Sequence, residues 1–319
     1  MDFRQLHYLT VVARTQNVTR AAESLYISQS ALSHYIKNAE EELGVRLFDR
    51  STNPITLTEA GRVYMDSAQR ILLENERLTK ELRDITNHMT GTLTLGTSTD
   101  RCSYMIPKLL PRFMEMYPGI RVNVEVSGGQ RLQDMLRRGD IDMMLLPCLP
   151  GDNDQGLASE VLYTEELILA AKPGAIAPED RVDGRHIVRP RALNGLHFFL
   201  QEQGHKNRSF CDSFFRRNRL KPDIRQEFRS NISCYRMAAT GAGVAIIPFM
   251  TTQLANPGQP VELFSIGDPP ALWEVHIFYR KDAYLGLPEK DLIALARDIF
   301  SHELRSPAHR ESLEGASEN

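Results

Sequence analysis

Residues 17 to 61 read NVTRAAESLYISQSALSHYIKNAEEELGVRLFDRSTNPITLTEAG, and they leave the chain little freedom. Asn17 is a helix cap, since its side-chain oxygen accepts from backbone N–H groups left free at a helix start. Ala21, Ala22 and Leu25 then share a face, and the two alanines let a second helix come close. Tyr26 and Ile27 make the turn, with Ile27 plugging the corner. Ser28 caps the second helix, which Leu32 and Ile36 pack back on the first. Gln29, Ser30, Ser33, His34 and Lys37 are left outward near its N-terminal half, with the hydrogen-bonding groups and reach that base edges in a major groove require. Gly44 ends that helix. Val45, Leu47 and Phe48 are apolar enough for a core, residues 51–54 turn, and Ile55-Thr56-Leu57 alternates like a strand. The sum is a winged helix-turn-helix in which Gln29, Ser33 and His34 touch base edges, while Ser30 and Arg50 hold the DNA backbone. A helical hairpin inside a larger core is the blander alternative, disfavoured by the short polar outward set.

The same residues resemble the DNA-binding domain of the LysR-type transcriptional regulators. The match is contiguous from Ala13 to Ser51 and resumes at LTEAG. That family usually has Arg where His34 stands, often Gln for Tyr35, and Leu for Ala39. The first two departures alter the reading head, so an operator sequence does not transfer from relatives. Ala39 implies a smaller contact inside the domain.

The chain has 319 residues, 42% hydrophobic and 25% charged, which suits two or three domains. It has no apolar run long enough to span a membrane, and its first residues lack the apolar core of a signal peptide. A cytoplasmic protein with no membrane partner is expected. Cys102, Cys148, Cys211 and Cys234 form no CxxC pair, so free thiols are expected. Net charge is −3, and residues 1–58 carry six basic and six acidic side chains. Sign therefore does not advertise nucleic-acid binding; placement does, with Glu40 to Glu42 at the far end of the reading helix and Arg50 at the wing. A near-neutral domain binds DNA weakly alone, and affinity has to come from several acting together.

Residues 3–15 form a helix with Phe3, Leu6, Leu9 and Val12 on one buried face. Thr58-Glu59 opens a long helix to about His88, uninterrupted by Gly or Pro after Gly61 and about 45 Å long. Tyr64, Ala68, Ile71, Asn75, Leu78, Leu82, Ile85 and Met89 recur at steps of four and three. That stripe predicts a coiled-coil partner rather than packing on its own domain, and Asn75 within it is the kind of residue that fixes register. Beyond Gly91 strands and helices alternate: strand 92–97, helix 104–117, strand 120–126, helix 131–138, strand 143–146. A second series has strands at 167–171, 197–200 and 224–228, a helix at 210–218, and GAGVAIIP at 241–248. Strand 273–279 and a helix over 289–303 close the pattern. Alternation predicts a parallel sheet. Residues 304–319 are expected to be disordered.

GTLTLGTS, YPGIRVNVEVSGG, GDIDMMLLP, LYTEELILAAKPG and GAGVAIIP resemble the effector domain of the same family. The resemblance implies an α/β protein: a winged helix-turn-helix (1–58), a linker helix (59–90), and a two-lobed effector domain of type II periplasmic-binding-protein architecture (91–303). Lobe I is 91–161 plus 267–303, lobe II is 162–266, and two crossing strands join them. It further implies antiparallel linker pairing, a homodimer assembling to a homotetramer, binding to double-stranded operator DNA, and contact with RNA polymerase. The resemblance also implies that a small effector in the cleft changes DNA bending.

In such a fold a ligand sits between the lobes, at strand ends and helix starts. Ser98 and Thr99 offer hydroxyls and N–H groups for a carboxylate. Asp100 opposes a strongly anionic ligand unless it turns away. Gln130 follows Gly128-Gly129, Gln201 and Asn231 follow strands of lobe II, and Cys102 points toward the cleft. The expected effector set is thus Ser98, Thr99, Cys102, Gln130, Gln201 and Asn231, around a small polar metabolite with a carboxylate; a zwitterion is also open. Each of these alone is equally well a cap, a turn residue or, for Cys102, a small hydrophobe. Residues 203–206, QGHK, followed by Cys211 resemble peroxide-sensing members, but Lys206 stands where their reactive cysteine does. No catalytic motif, metal site or cofactor is expected. The alternatives are a constitutive DNA-binding regulator with an empty cleft and an enzyme of the binding-protein fold.

Overall fold

A computed structural model describes residues 2–86, 89–149, 156–182, 186–267 and 269–301. It divides into two compact units, residues 1–87 and 88–319, taken here one at a time. The expectations for residues 304–319 and for the helix end at His88 lie outside the described residues.

In the first unit α1 (Phe3–Thr15), α2 (Val18–Ser24) and α3 (Gln29–Leu43) lead into β1 (Phe48–Asp49), β2 (Thr56–Leu57) and α4 (Glu59–Thr86). Asn17 accepts from the Arg20 N–H at 3.0 Å, and Ser28 from that of Ala31 at 3.1 Å. Leu9, Val12, Ala21, Ala22, Leu32, Ile36, Ala39, Leu47, Phe48 and Met65 form one core. The wing pairs Phe48 with Leu57 and Asp49 with Thr56, antiparallel. α4 starts against it so closely that a Cβ on Gly61 would lie 2.0 Å from the Leu47 carbonyl oxygen.

Four expectations change here. Phe3 is 54% exposed: it opens α1, and its Cβ leans toward the N-terminus, off the helix contacts. Val45 is 45% exposed, because it lies in the surface turn after Gly44, and only the next two apolar residues, Leu47 and Phe48, enter the core. Tyr35 is half-buried, edge-on to Tyr8 of α1 at 5.1 Å, so it braces α3 against α1 instead of standing wholly outward. Met89 does not extend the α4 stripe; it packs on the core of the second unit. The 28 residues of α4 span about 42 Å at 1.5 Å each. Within the stripe Ile71, Leu78, Leu82 and Ile85 are exposed, Ile85 at 77%.

The second unit runs β3 (Gly91–Thr97), α5 (Thr99–Met116), β4 (Ile120–Val126), α6 (Gly129–Arg138), β5 (Met143–Cys148) and β6 (Leu157–Ala171). It continues with β7 (Ile187–Val188), β8 (His197–Gln201), α7 (Lys206–Arg217), β9 (Asp223–Phe228), α8 (Asn231–Ala239) and β10 (Ala245–Pro248). α9 (Thr251–Leu254), β11 (Glu262–Ile266), β12 (Leu272–Arg280) and α10 (Leu287–Ser301) complete it. The strand order is β4-β3-β5-β12-β6-β11-β7, with β10 also on β6. β8 and β9 join through a bridge from Phe198 to Val244.

The sheet is mixed rather than parallel. β3 is parallel to β4 and β5, and β8 to β9. β6 and β12 run antiparallel, from Leu272 beside Glu166 to Arg280 beside Leu157. These are the two crossing strands, and β6 reaches ten residues further toward the N-terminus than the expected 167–171. One apolar cluster extends through them, from Leu95, Leu109 and Phe113 to Val275, Ile277, Ala238 and Ile247. α5, α6 and α7 each begin earlier than apolar spacing suggests, within a few residues of a strand end. Their first turns are polar, and a polar first turn reads as loop in the sequence.

Candidate functional site

Two places gather the expected residues. The first is the outer face of α3. Gln29, Ser30, His34 and Lys37 are exposed and Ser33 is half-buried. Gln29 Nε2 donates to Ser33 Oγ at 3.2 Å, His34 Nδ1 and Asn38 Nδ2 lie 3.1 Å apart, and Lys37 pairs with Glu41 at 3.5 Å. These exposed contacts are light enough to exchange for base and phosphate groups. Arg50 is aimed by Glu40, with Nη2 to Oε2 at 3.3 Å. The other Glu40 oxygen accepts from the N–H groups of Leu47 and Phe48, at 2.8 and 3.1 Å. Glu40 is therefore the clasp between α3 and the wing, not one of three stray acids at the helix end. In the sequence it is hidden by Glu41 and Glu42.

The second place is a cleft in the second unit of about 170 Å³, smaller than the roughly 300–1,000 Å³ of drug-sized pockets. Ser98, Thr99, Gln201 and Asn231 all line it. Cys102 and Gln130 do not. Gln130 is exposed on α6, where its amide donates to Asp134 one turn on at 3.2 Å. Cys102 lies a turn into α5, and burial raises its thiol pKa. Gln201 donates to the Arg229 carbonyl at 3.1 Å, and Asn231 Oδ1 accepts from Asn207 at 2.7 Å.

Helix starts form much of the lining. Ser98 before α5, Gly128 before α6 and His205 before α7 make no side-chain cap. Their first-turn N–H groups, with the positive ends of three helix dipoles, are thus left for an anion. Gly129 and Lys206 also line the cleft.

In the wall of the cleft, with Arg101, Met250 and Trp273 among its lining residues, lies a buried polar cluster that the sequence reading did not find. Arg101 donates to the Tyr163 hydroxyl and, at 3.1 Å, to Glu165 Oε2. Glu165 also accepts from Trp273 Nε1 and from the Met250 N–H, both at 2.9 Å. Burial works against the Arg101 charge, but the Tyr163 and Glu165 oxygens outweigh it and hold its pKa above the usual value. The legible signal was Glu165-Glu166 inside the apolar strand 157–171, since buried acids need partners. Among the described residues no group of three or more His, Cys, Asp or Glu could hold a metal. Nor is any helix there long and apolar enough to cross a membrane.

Residues 3–62 match the family model described as bacterial regulatory helix-turn-helix protein, lysR family, and residues 86–301 that of the LysR substrate binding domain. A transcriptional activator from Synechocystis, CmpR, is 24% identical over 94% of this chain and 95% of its own. An uncharacterized helix-turn-helix regulator of Bacillus subtilis, YcgK, is 29% identical over 93% of this chain and 94% of its own. Full-length OxyR from Pseudomonas aeruginosa shares the fold at TM-score 0.70 and 24% identity, covering 93% of this chain and 94% of its own. Full-length CbnR in complex with its target DNA does so at TM-score 0.59 and 21% identity, covering 94% and 99%.

Proposed function

This chain belongs to the LysR family of bacterial helix-turn-helix transcriptional regulators, and we propose that it senses a small anionic metabolite in the cleft of its second unit. The single observation behind the effector class is the convergence of three uncapped helix starts, α5, α6 and α7, on one small cavity. Ser98 and Thr99 hold the carboxylate from lobe I, and Gln201 and Lys206 bound the site from lobe II. The lobes are 91–161 with 267–303, and 162–266. A zwitterion also fits, because Asp100 lines the same cleft.

On the DNA side Gln29, Ser33 and His34 read base edges, while Ser30, Lys37 and Arg50 hold phosphates. CbnR, a structure of the same fold, is seen with its target DNA. Dimerisation falls to α4, whose stripe residues Ile71, Leu78, Leu82 and Ile85 are exposed on the chain alone. That stripe is nearly symmetric about Asn75, with Ile71 four residues before it and Leu78 three after. Antiparallel pairing therefore sets Asn75 against its own copy on a two-fold axis, where two amides can bond each other. Two such dimers make the homotetramer, and RNA polymerase is a second protein partner. The protein acts in the cytoplasm, as a regulator and not as an enzyme.

A thermal-shift screen of small carboxylates and amino acids tests the effector. A ligand at a hundred times its dissociation constant adds about 2.7 kcal/mol to the folded state. The hit should vanish in Thr99→Val. A hit that survives Thr99→Val and Ser98→Ala alike would put the site elsewhere. An operator-binding protein that no such metabolite shifts would be the constitutive regulator, a reading that the contact between Asp100 and Asn231 favours.

A further inference from the structure

The first-turn N–H groups of a helix are orphan donors, with the positive end of the dipole behind them. At α8 they are met from two directions. Ser230 Oγ accepts from the Ile232 N–H at 3.1 Å, within the same lobe. The second acceptor crosses from the other lobe. Asp100, in the first turn of α5, accepts from the Asn231 N–H at 3.0 Å through Oδ2 and from Ser230 Oγ at 2.9 Å through Oδ1. Asp100 is 7% exposed and lines the cleft.

We propose that Asp100 is a tethered carboxylate: it fills the anion seat at the start of α8, latches lobe I to lobe II without an external ligand there, and keeps an effector's carboxylate out of that seat. Both of its oxygens are engaged, and a charged acceptor makes hydrogen bonds roughly twice as strong as a neutral one. Tethering presents it at high effective concentration. A second carboxylate in the same seat meets like-charge repulsion. An anionic effector is thereby confined to the starts of α5, α6 and α7. Asn231, its side-chain oxygen already on Asn207, orients α8 rather than gripping a ligand. The latch stands on the two hydrogen bonds; only its consequence for the effector rests on the cleft being the sensing site.

The chain has one tryptophan, Trp273, which is buried in the wall of this cleft, so its emission reports opening. Full-length Asp100→Ala should emit at longer wavelength than the wild type and be quenched more strongly by acrylamide. Sodium formate supplies the missing carboxylate. It should reverse both changes saturably in Asp100→Ala, where sodium chloride at matched ionic strength does not, and leave the wild type unchanged. Wild-type emission in Asp100→Ala, or a formate response equal in the two proteins, overturns the tether. Should Asp100→Ala lose its far-ultraviolet circular dichroism, Asp100→Asn carries the test. It keeps the side-chain shape and can still turn its oxygen to the Asn231 N–H and its N–H₂ to Ser230 Oγ, but both bonds lose the charge that strengthens them, so it should be folded, quenched more than the wild type and less responsive to formate than Asp100→Ala; wild-type quenching there overturns the proposal. No effector enters these measurements. A failed metabolite screen with formate rescue removes the sensing reading alone, and the converse removes the tether alone.

Discussion

Glu165→Gln should destabilise the second unit far more than its near-isosteric shape suggests. Glu165 is fully buried and Arg101 is 1% exposed, so no water screens the pair. Three donors converge on Glu165: Arg101 Nη2 at 3.1 Å, Trp273 Nε1 at 2.9 Å and the Met250 N–H at 2.9 Å. A glutamine has one oxygen for them and brings an N–H₂ that faces donors. It also leaves the guanidinium charge without its counterion, a loss of about 3–5 kcal/mol for a broken buried pair. At ~2–4 °C per kcal/mol for a unit of this size, the calorimetric transition of the second unit should fall by roughly 6–20 °C. Added salt should not change that difference, because a buried pair lies beyond screening. Arg101→Met combined with Glu165→Gln should cost less than the sum of the two single changes, since the orphaned charge is gone. A drop under about 3 °C, near 1 kcal/mol, or strict additivity would refute the pair as a coupled buried unit.

Gln29→Ala should cost about 1–3 kcal/mol at the cognate operator and little on random DNA by fluorescence anisotropy; equal losses would remove Gln29 from the readers. Glu40→Ala unclasps the wing and releases Arg50, so it should weaken cognate and random DNA alike in the same assay, and an unchanged affinity would mean the wing holds no DNA. Leu78→Asp should give monomers in analytical ultracentrifugation, whereas Asn75→Leu should raise dimer stability while loosening register; unchanged melting and size in both would put the stripe in solvent. Burial raises the Cys211 thiol pKa and pushes that of Cys234 up to about 12, so at pH 8 only about one part in 10⁴ of Cys234 is thiolate. Neither should react with a thiol reagent until denaturant is added, and native labelling of either would contradict the burial.

The reading face was legible because its chemistry is local. Asn17, Ser28 and Gly44 set the helix ends from a few residues away, and Leu32 and Ile36 decide which side of α3 is left for Gln29 and His34. Local spacing also gave the strand ends where Ser98, Thr99, Gln201 and Asn231 meet. It could not tell that Tyr35 leans on Tyr8, that Val45 stays in solvent, or that Met89 leaves α4 for another core, because each depends on what packs alongside. The polar first turns of α5, α6 and α7 hide their helices from any pattern of apolar residues.

The sequence by itself determined the winged helix-turn-helix, the alternation of strands and helices from β3 to β5, and an apolar stripe on α4. Spacing along one chain sets all three. Only the tertiary structure decided the clasp of Glu40 on the wing, the Arg101–Glu165 pair, and the turn of Asp100 away from the cleft's anion sites and onto α8. Those partners lie 10, 64 and 131 residues apart. A buried charge finds its counterpart through the fold, where proximity no longer follows sequence.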